Sequence, residues 1–244
     1  MSVTQPVKGK TAIITGAELL LKNGCNVVIA DLGLRPEAQA VVDKFNGRSG
    51  TARAVFQKTD VTDWVQLEEL FKVAEREFTE IDIVCPGAGV YEEVCIHMPN
   101  VKGRFANGLV RSLAKLDNKF GIRVTAVAPG LIKTPLWMEH PEKLKMFKEG
   151  QDIWVTAEEV GEVMLALVQQ EEVSEIIGDK ERKGVMFPVE GGTVLEVSKT
   201  VRAVHPFNDP GPSNRAGNTI ANAEAVEDEI YDLLSTPNWG KVKL

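Results

Sequence analysis

The fold is decided by the stretch Lys10-Thr-Ala-Ile-Ile-Thr-Gly-Ala17 and its continuation to Asp31. The first part is a short apolar run with β-branched residues, which predicts a strand that ends before Gly16. A second apolar run, Asn26-Val-Val-Ile-Ala30, is closed by Asp31. A strand, a glycine turn, a crossover and a second strand with a terminal acid are the order of a nucleotide-binding βαβ unit.

The connection between these two strands departs from that order. After Gly16 the next glycine is Gly24, so the sequence contains neither G-x-G-x-x-G nor another glycine-rich phosphate loop here. The residues from Ala17 to Cys25 are fewer than the ~10–12 that a βαβ crossover usually takes. A helix over residues 18–23 would be about 9 Å long at ~1.5 Å per residue. We expect so short a helix not to return the chain for a parallel neighbour.

Composition and charge limit the classes of protein to be considered. The 244 residues suffice for one large domain, and 43% hydrophobic with 26% charged residues is ordinary for a globular protein. The net charge of −7 argues against a nucleic-acid partner, because phosphate neutralisation needs a basic face. The sequence has no membrane-length apolar run, no signal-peptide pattern and no metal-type spacing of Cys or His. We therefore expect a cytoplasmic protein with reduced thiols at Cys25, Cys85 and Cys95.

Strand patterns alternate with amphipathic helices along the rest of the chain. Two helices carry start signals, a D-x-x-Q box at Asp63 and a T-x-x-E box at Thr156. The alternation predicts an α/β fold with a doubly wound parallel sheet, in a single domain over residues 1–244. The further predicted strands are residues 52–56, 81–85, 123–128 and 185–189, and the predicted helices are 37–45, 67–78, 109–120, 142–148, 160–168 and 222–234.

Several short motifs occur in a fixed order, each after its own predicted strand or helix. The motifs are Thr15-Gly16, Asp31, Asp60-Val61, Gly87-Ala88-Gly89, Arg123-Val124, Pro129-Gly130 and Thr134. Together they resemble the short-chain dehydrogenase/reductase family, whose fold is a Rossmann-like sheet. The tail resembles fungal members related to 15-hydroxyprostaglandin dehydrogenase, with residues 195–244 as the extension typical of them.

The resemblance implies an NAD(P)-dependent oxidoreductase that acts on a secondary alcohol or ketone. Asp31 matches the acid that binds the adenosine ribose hydroxyls and repels a 2′-phosphate, which implies NAD rather than NADP. Asp60 and Val61 match the pair that holds the adenine ring through a carboxylate and a backbone amide. The alternatives are that Asp31 caps a helix or turn, and that Asp60 and Asp63 cap the following helix.

Further cofactor-binding residues are implied by the same resemblance. For the segment predicted to contact the nicotinamide, Pro129 to Thr134, the alternative interpretation is a loop that binds no ligand. The residues are Gly16 in the phosphate turn, Gly87 and Gly89 beside a ribose, and Pro129, Gly130 and Thr134 at the nicotinamide carboxamide.

The catalytic residues of the family have no match in this sequence. Counting back from Gly108 in the matched helix puts the family's Tyr at Pro99 and its Lys at Gly103. Neither of these residues transfers a proton. The Asn of the family's Asn-Ala-Gly turn is Gly87 here, and no Ser-bearing strand end precedes Gly108. We therefore predict no catalytic residue and no metal ligand.

Two internal deletions from a family-like sequence would explain these departures. The first brings Glu18, whose charge would repel a diphosphate, next to the phosphate turn. The second lies between Gly89 and Gly108 and removes a central strand, so the strand at Ile81 must pair with the strand at Arg123 or leave a gap. The alternative function is an inactive variant, either a weak nucleotide binder or an interaction protein. The family also implies a homodimer.

Overall fold

The structure, a computed structural model, describes residues 6–14, 18–46, 52–87, 108–139, 144, 147–177, 180–205 and 223–236. By its internal contacts the chain divides into two units, Met1–Val204 and His205–Leu244. In the second unit the described element is helix α8 (Ala223–Leu234), which starts one residue after the position predicted. The assignment of residues 1–244 to one family domain stays a prediction.

The first unit contains a four-stranded sheet in the order β3-β2-β1-β4. All its pairings are parallel, as the βαβ pattern predicts. The two central strands, residues 11–14 and 26–31, are buried on both faces, so they read as continuous apolar runs rather than alternating ones. The elements are β1 (Thr11–Ile14), α1 (Glu18–Lys22), β2 (Asn26–Asp31), α2 (Pro36–Asn46), β3 (Ala54–Lys58), α3 (Trp64–Phe78) and β4 (Ile83–Cys85).

The two faces of this sheet have separate cores. On one face Val27 and Ile29 pack with residues of α1 and α2, including Leu21. On the other face Ile13 and Val28 pack with the inner side of α3. The covered sheet holds its strand ends in place, and these ends carry the site described below.

The expectation that α1 is too short to return the chain was wrong. Strand β1 pairs in parallel with β2, with Thr11 opposite Asn26 and Ile14 opposite Ile29. The strand has only four residues, about 13 Å at ~3.3 Å per residue, so the return path is short. Gly24, at φ +83°, ends the α1 turn in a left-handed conformation and lets the chain enter β2 directly.

A five-stranded sheet follows in the same unit, in the order β5-β8-β9-β6-β7. Strand β5 is parallel to β8, and the other pairings are antiparallel. Helix α7 packs on this sheet through Val163 and also reaches the core of the first sheet through Met164 and Val168. The elements are α4 (108–112), α5 (Lys115–Phe120), β5 (Ala126–Pro129), α6 (Pro135–Met138), α7 (Ala157–Gln169), β6 (Glu172–Ile177), β7 (Lys180–Pro188), β8 (Val194–Val197) and β9 (Thr200–Ala203).

Among the described residues, β4 and β5 lie in different sheets. Among the described residues β4 pairs with β1 alone and β5 pairs with β8 alone. The side chain of Val84, in the middle of β4, is 49% exposed. Direct pairing of β4 with β5 is therefore not seen among the described residues, and the missing central strand stays a prediction because residues 90–107, between Gly89 and Gly108, lie outside them.

Several element predictions need correction. The strands at Glu172–Ile177, Val194–Val197 and Thr200–Ala203 were not predicted, and the strand predicted at 185–189 is the end of the longer β7. The predicted helix 109–120 is two helices separated by a turn at residues 113 and 114. Of the helix predicted at 142–148, the described residue 144 has a 3₁₀ conformation, whereas residues 147 and 148 are not helical. The T-x-x-E box is confirmed, since Thr156 and Glu159 cap α7 reciprocally.

Candidate functional site

Two predicted cofactor-binding residues, Asp31 and Asp60, follow neighbouring strands at one edge of the first sheet. Asp31 is the last residue of β2, where it pairs in register with Lys58 of β3. The backbone N–H of Thr59 donates a hydrogen bond to the Asp31 carbonyl, at 2.8 Å, so the chain leading to Asp60 is fixed to the end of β2. This edge, at the carboxyl ends of parallel strands, is where doubly wound sheets bind ligands.

The Asp31 side chain is exposed and makes one local contact. Its Oδ1 accepts a hydrogen bond from the Leu32 backbone N–H at 2.7 Å, which braces the turn after β2. Among the described residues its Oδ2 has no hydrogen-bond partner. Asp31 therefore has the turn-bracing role foreseen as its alternative and still presents a carboxylate oxygen for a ribose hydroxyl.

Asp60 and Asp63 have different roles at the start of α3. The N-cap is Asp63, whose carboxylate accepts hydrogen bonds from the backbone N–H groups of Val65 and Gln66. The predicted box is only half formed, because the Gln66 side chain accepts from the Asp60 N–H instead of the Asp63 N–H. Asp60 Oδ1 accepts from the Thr62 hydroxyl at 2.7 Å and from its N–H at 2.9 Å.

The turn at Asp60 leaves two groups available to a ligand. Hydrogen bonds from the Thr62 hydroxyl and from its backbone N–H lower the pKa of Asp60, so the carboxylate is charged at neutral pH. Within the described parts of the chain, Asp60 Oδ2 and the Val61 N–H have no partner. A carboxylate oxygen and an adjacent free N–H fit the amino group and ring nitrogen of an adenine. The residues present thus fit the adenosine half of a dinucleotide.

The remaining predicted residues lie beside β4 and β5. Gly87 is exposed just after β4, whereas Gly16 and Gly89 lie outside the described residues. Pro129 ends β5, and the Gly130 N–H donates to the Val197 carbonyl at 2.8 Å. Thr134 stands at the N-cap of α6 without a side-chain capping bond, so its hydroxyl is not used there.

An ion pair that the sequence did not predict connects the turn after β2 with the end of α6. Arg35, in the turn after β2, holds Glu139, which follows α6, through two parallel hydrogen bonds of 2.6 and 3.1 Å. Both side chains are about half exposed. No local pattern could reveal this pair, because its members are 104 residues apart in sequence.

Glu18 is held by two lysines at the start of α1. Its Oε1 lies 3.2 Å from Lys22 Nζ and 3.3 Å from Lys44 Nζ. Hydrogen bonds from Lys22 and Lys44 lower the pKa of Glu18. The carboxylate is therefore charged but locally compensated, which reduces the repulsion expected for a diphosphate. Helix α1 has five residues, so its dipole adds little attraction for an anion.

Pro99 and Gly103, which stand where the family has its Tyr and Lys, lie outside the described residues, so the predicted absence of a catalytic residue stays a prediction. Within the part that the structure describes, no group of three His, Cys, Asp or Glu residues is arranged to hold a metal ion. None of the described helices has the length and apolarity needed to cross a bilayer. Cys25 and Cys85 are free, and burial raises their pKa to about 12 and about 11, so both thiols are protonated and unreactive at neutral pH.

Comparison with known proteins agrees with this geometry. Residues 10–102 match the family model of the short chain dehydrogenases. An uncharacterised oxidoreductase of Methylorubrum extorquens is 32% identical over 99 residues, which are 37% of this chain and 39% of that protein. The chain spans 39% of the length of the curated relatives that it matches.

Solved structures share the fold. A short chain dehydrogenase from Mycobacterium avium matches with a TM-score of 0.57 at 18% identity, over 97% of this chain and 100% of that one. The L-sorbose reductase of Gluconobacter frateurii, solved with NADPH and L-sorbose, matches with a TM-score of 0.53 at 18% identity, over 67% of this chain and 90% of that one. Over residues 10–102 the chain is thus similar to the short-chain dehydrogenase/reductase family, and its Rossmann-like fold is the fold of these solved structures.

Proposed function

We propose that this protein is an NAD-dependent oxidoreductase of the short-chain dehydrogenase/reductase family, acting on a secondary alcohol or ketone. The observation that carries the proposal is the edge formed by Asp31, Asp60 and Val61. Among the described residues, the Oδ2 atom of each carboxylate and the Val61 backbone N–H have no partner there. Asp31 would accept hydrogen bonds from the adenosine ribose, and Asp60 with Val61 would hold the adenine.

The other half of the cofactor would lie toward the end of β5. There the unused hydroxyl of Thr134 and the backbone around Gly130 would orient the nicotinamide carboxamide. When bound, the nicotinamide supplies the chemistry of the reaction by accepting or donating a hydride. The described residues bind and orient the cofactor, and none of them is proposed as the acid or base.

A second function, nucleotide binding without turnover, is favoured by a specific feature of the sequence. Pro99, Gly103 and Gly87 stand where the family has its Tyr, Lys and Asn. Without a proton donor beside the carbonyl, general acid–base catalysis loses a factor of about 10²–10⁴. With this second function, the protein would bind NAD at the same edge of the sheet and would show no turnover with any alcohol.

A titration of NADH followed by its fluorescence, combined with a panel of secondary alcohols and ketones, tests both functions. We expect saturable binding that Asp31→Ala and Asp60→Ala weaken, whereas Asp43→Ala leaves it unchanged. Asp43 is the matched control because it is an exposed carboxylate on α2 that contacts Gln39. Turnover would exclude the binding-only function, and no binding at millimolar NADH would refute both.

A further inference from the structure

The Arg35–Glu139 pair lies where the chain would distinguish NAD from NADP. Arg35 follows Asp31 by four residues, in the turn that leaves the end of β2. Hydrogen bonds to Glu139 and the charge of Glu139 raise the pKa of Arg35, and the charges of Glu37 and Asp31 add to this effect. An arginine near the end of this strand is the group that accommodates a ribose 2′-phosphate.

In this chain the guanidinium already has a partner. Glu139 binds it through both carboxylate oxygens, at 2.6 and 3.1 Å, in the fork geometry that an arginine also uses for a phosphate. A 2′-phosphate would have to displace the Glu139 carboxylate and would also meet the negative charge of Asp31. The negative charges of Asp31 and Glu139 therefore both oppose the binding of a 2′-phosphate. Glu139 also occupies Arg35, the residue that would bind the phosphate.

We propose that Glu139 is a specificity-determining residue, which keeps Arg35 from binding a ribose 2′-phosphate and so favours NAD over NADP. This inference rests on the proposed function, because it assumes that adenosine binds at the ends of β2 and β3. Removing the Glu139 charge while keeping its shape frees the guanidinium without introducing a new cation.

A competing cation stands nearby. Lys58 is the register partner of Asp31 on β3 and ends that strand with an exposed side chain. Glu37 is a second acid whose charge acts on Arg35, but the fork pair is made by Glu139. Both residues supply controls for the test. Lys58 offers an alternative cation for the phosphate, and Glu37 offers an alternative source of negative charge near Arg35.

The test compares two nucleotides that differ only in the 2′-phosphate, 5′-AMP and adenosine 2′,5′-bisphosphate, by calorimetric titration. We expect Glu139→Gln to bind the bisphosphate about three- to tenfold more tightly than the wild type, the range of an exposed charge-assisted contact. Its affinity for 5′-AMP should not change. The gain should disappear in Arg35→Ala/Glu139→Gln, persist in Lys58→Ala/Glu139→Gln and shrink as salt is raised.

Glu37→Gln is the matched control, since it removes the same charge from the same neighbourhood and leaves the fork pair intact. An equal gain in Glu37→Gln would overturn the inference and assign the effect to net charge. No gain in Glu139→Gln, with 5′-AMP still bound, would overturn the inference alone. No binding of 5′-AMP to any of these proteins would refute the proposed function together with it.

Discussion

Asp82 holds the start of β4 against β1, and its removal is predicted to destabilise the first sheet. Its Oδ1 lies 2.6 Å from Lys10 Nζ, and its Oδ2 accepts a hydrogen bond from the Thr11 backbone N–H at 2.9 Å. The Asp82 N–H donates to the Thr11 carbonyl at 3.0 Å. Strand β4 has three residues and, within the described chain, one neighbouring strand, so this contact fixes one of its ends.

The size of the effect follows from the burial of the groups involved. Thr11 is 2% exposed, so Asp82→Ala leaves a buried N–H without its acceptor, at a cost of about 1–3 kcal/mol. The ion pair adds little, because the Lys10 side chain is 52% exposed. We expect a loss of about 2 kcal/mol, or a melting temperature lower by about 4–8 °C for a domain of this size. Asp82→Asn keeps an acceptor for Thr11 and should cost much less.

Urea unfolding of the wild type, Asp82→Ala, Asp82→Asn and Lys10→Met measures these differences. The predicted order of destabilisation is Asp82→Ala first, with Asp82→Asn and Lys10→Met both smaller. Equal losses for the alanine and asparagine variants would show that the Thr11 bond is not the stabilising contact. A loss below about 0.5 kcal/mol for Asp82→Ala, the range of an ordinary surface change, would refute the reasoning altogether.

The same contact predicts a dependence on pH. Burial alone would raise the pKa of Asp82, but hydrogen bonds from Lys10 and the Thr11 N–H, with the Lys10 charge, lower it. A carboxylate with a lowered pKa stabilises the fold fully above its unfolded pKa of about 3.9, and this contribution is lost as the pH falls through the folded value. The difference between wild type and Asp82→Ala should therefore narrow below about pH 4. A difference that stays constant down to pH 2 would contradict this assignment.

Two further predictions concern packing and thiol chemistry. Gly191→Ala should destabilise the protein by about 1–3 kcal/mol in urea unfolding, because its Cβ would lie 2.4 Å from the Ala114 carbonyl oxygen, whereas Gly33→Ala, which has open space, should be nearly neutral. An equal effect of the two substitutions would contradict the packing at Gly191. With Ellman's reagent at pH 8, Cys25 and Cys85, two of the three thiols, should react slowly until the protein is denatured, because their pKa values are raised to about 12 and about 11. Rapid reaction of all three thiols in the native protein would contradict these raised pKa values.

The sequence predicted best where the signal is local. The cap at Asp63 and the reciprocal cap of Thr156 with Glu159 depend on residues two or three positions apart, so they can be recognised from the sequence. The placement of Asp31 beside Asp60 could also be predicted, because consecutive parallel strands bring their carboxyl ends to one edge. Local chemistry and a single topological rule were enough to place these two carboxylates at one edge of the sheet, whereas their binding of adenosine stays a prediction.

Features set by distant partners were not predicted. Strands β6 and β9 are short and partly polar, and they exist because antiparallel neighbours supply their hydrogen bonds. The pair of Arg35 with Glu139 joins residues that no sequence pattern connects. The return of α1 was judged by helix length alone, although the short β1 and the left-handed Gly24 decide it. Gly16 and Gly89 lie outside the described residues, so their assignment stays a prediction.

Saturation-transfer NMR with NAD tests the central claim most directly, since it reports which protons of the ligand touch the protein. The account predicts strong transfer to the adenine and adenosine-ribose protons, because Asp31, Asp60 and Val61 hold that half. The transfer should be much reduced in Asp31→Ala/Asp60→Ala and unchanged in Asp43→Ala. Absence of transfer to the adenine, or transfer that the double variant leaves intact, would contradict the claim that this edge binds the cofactor.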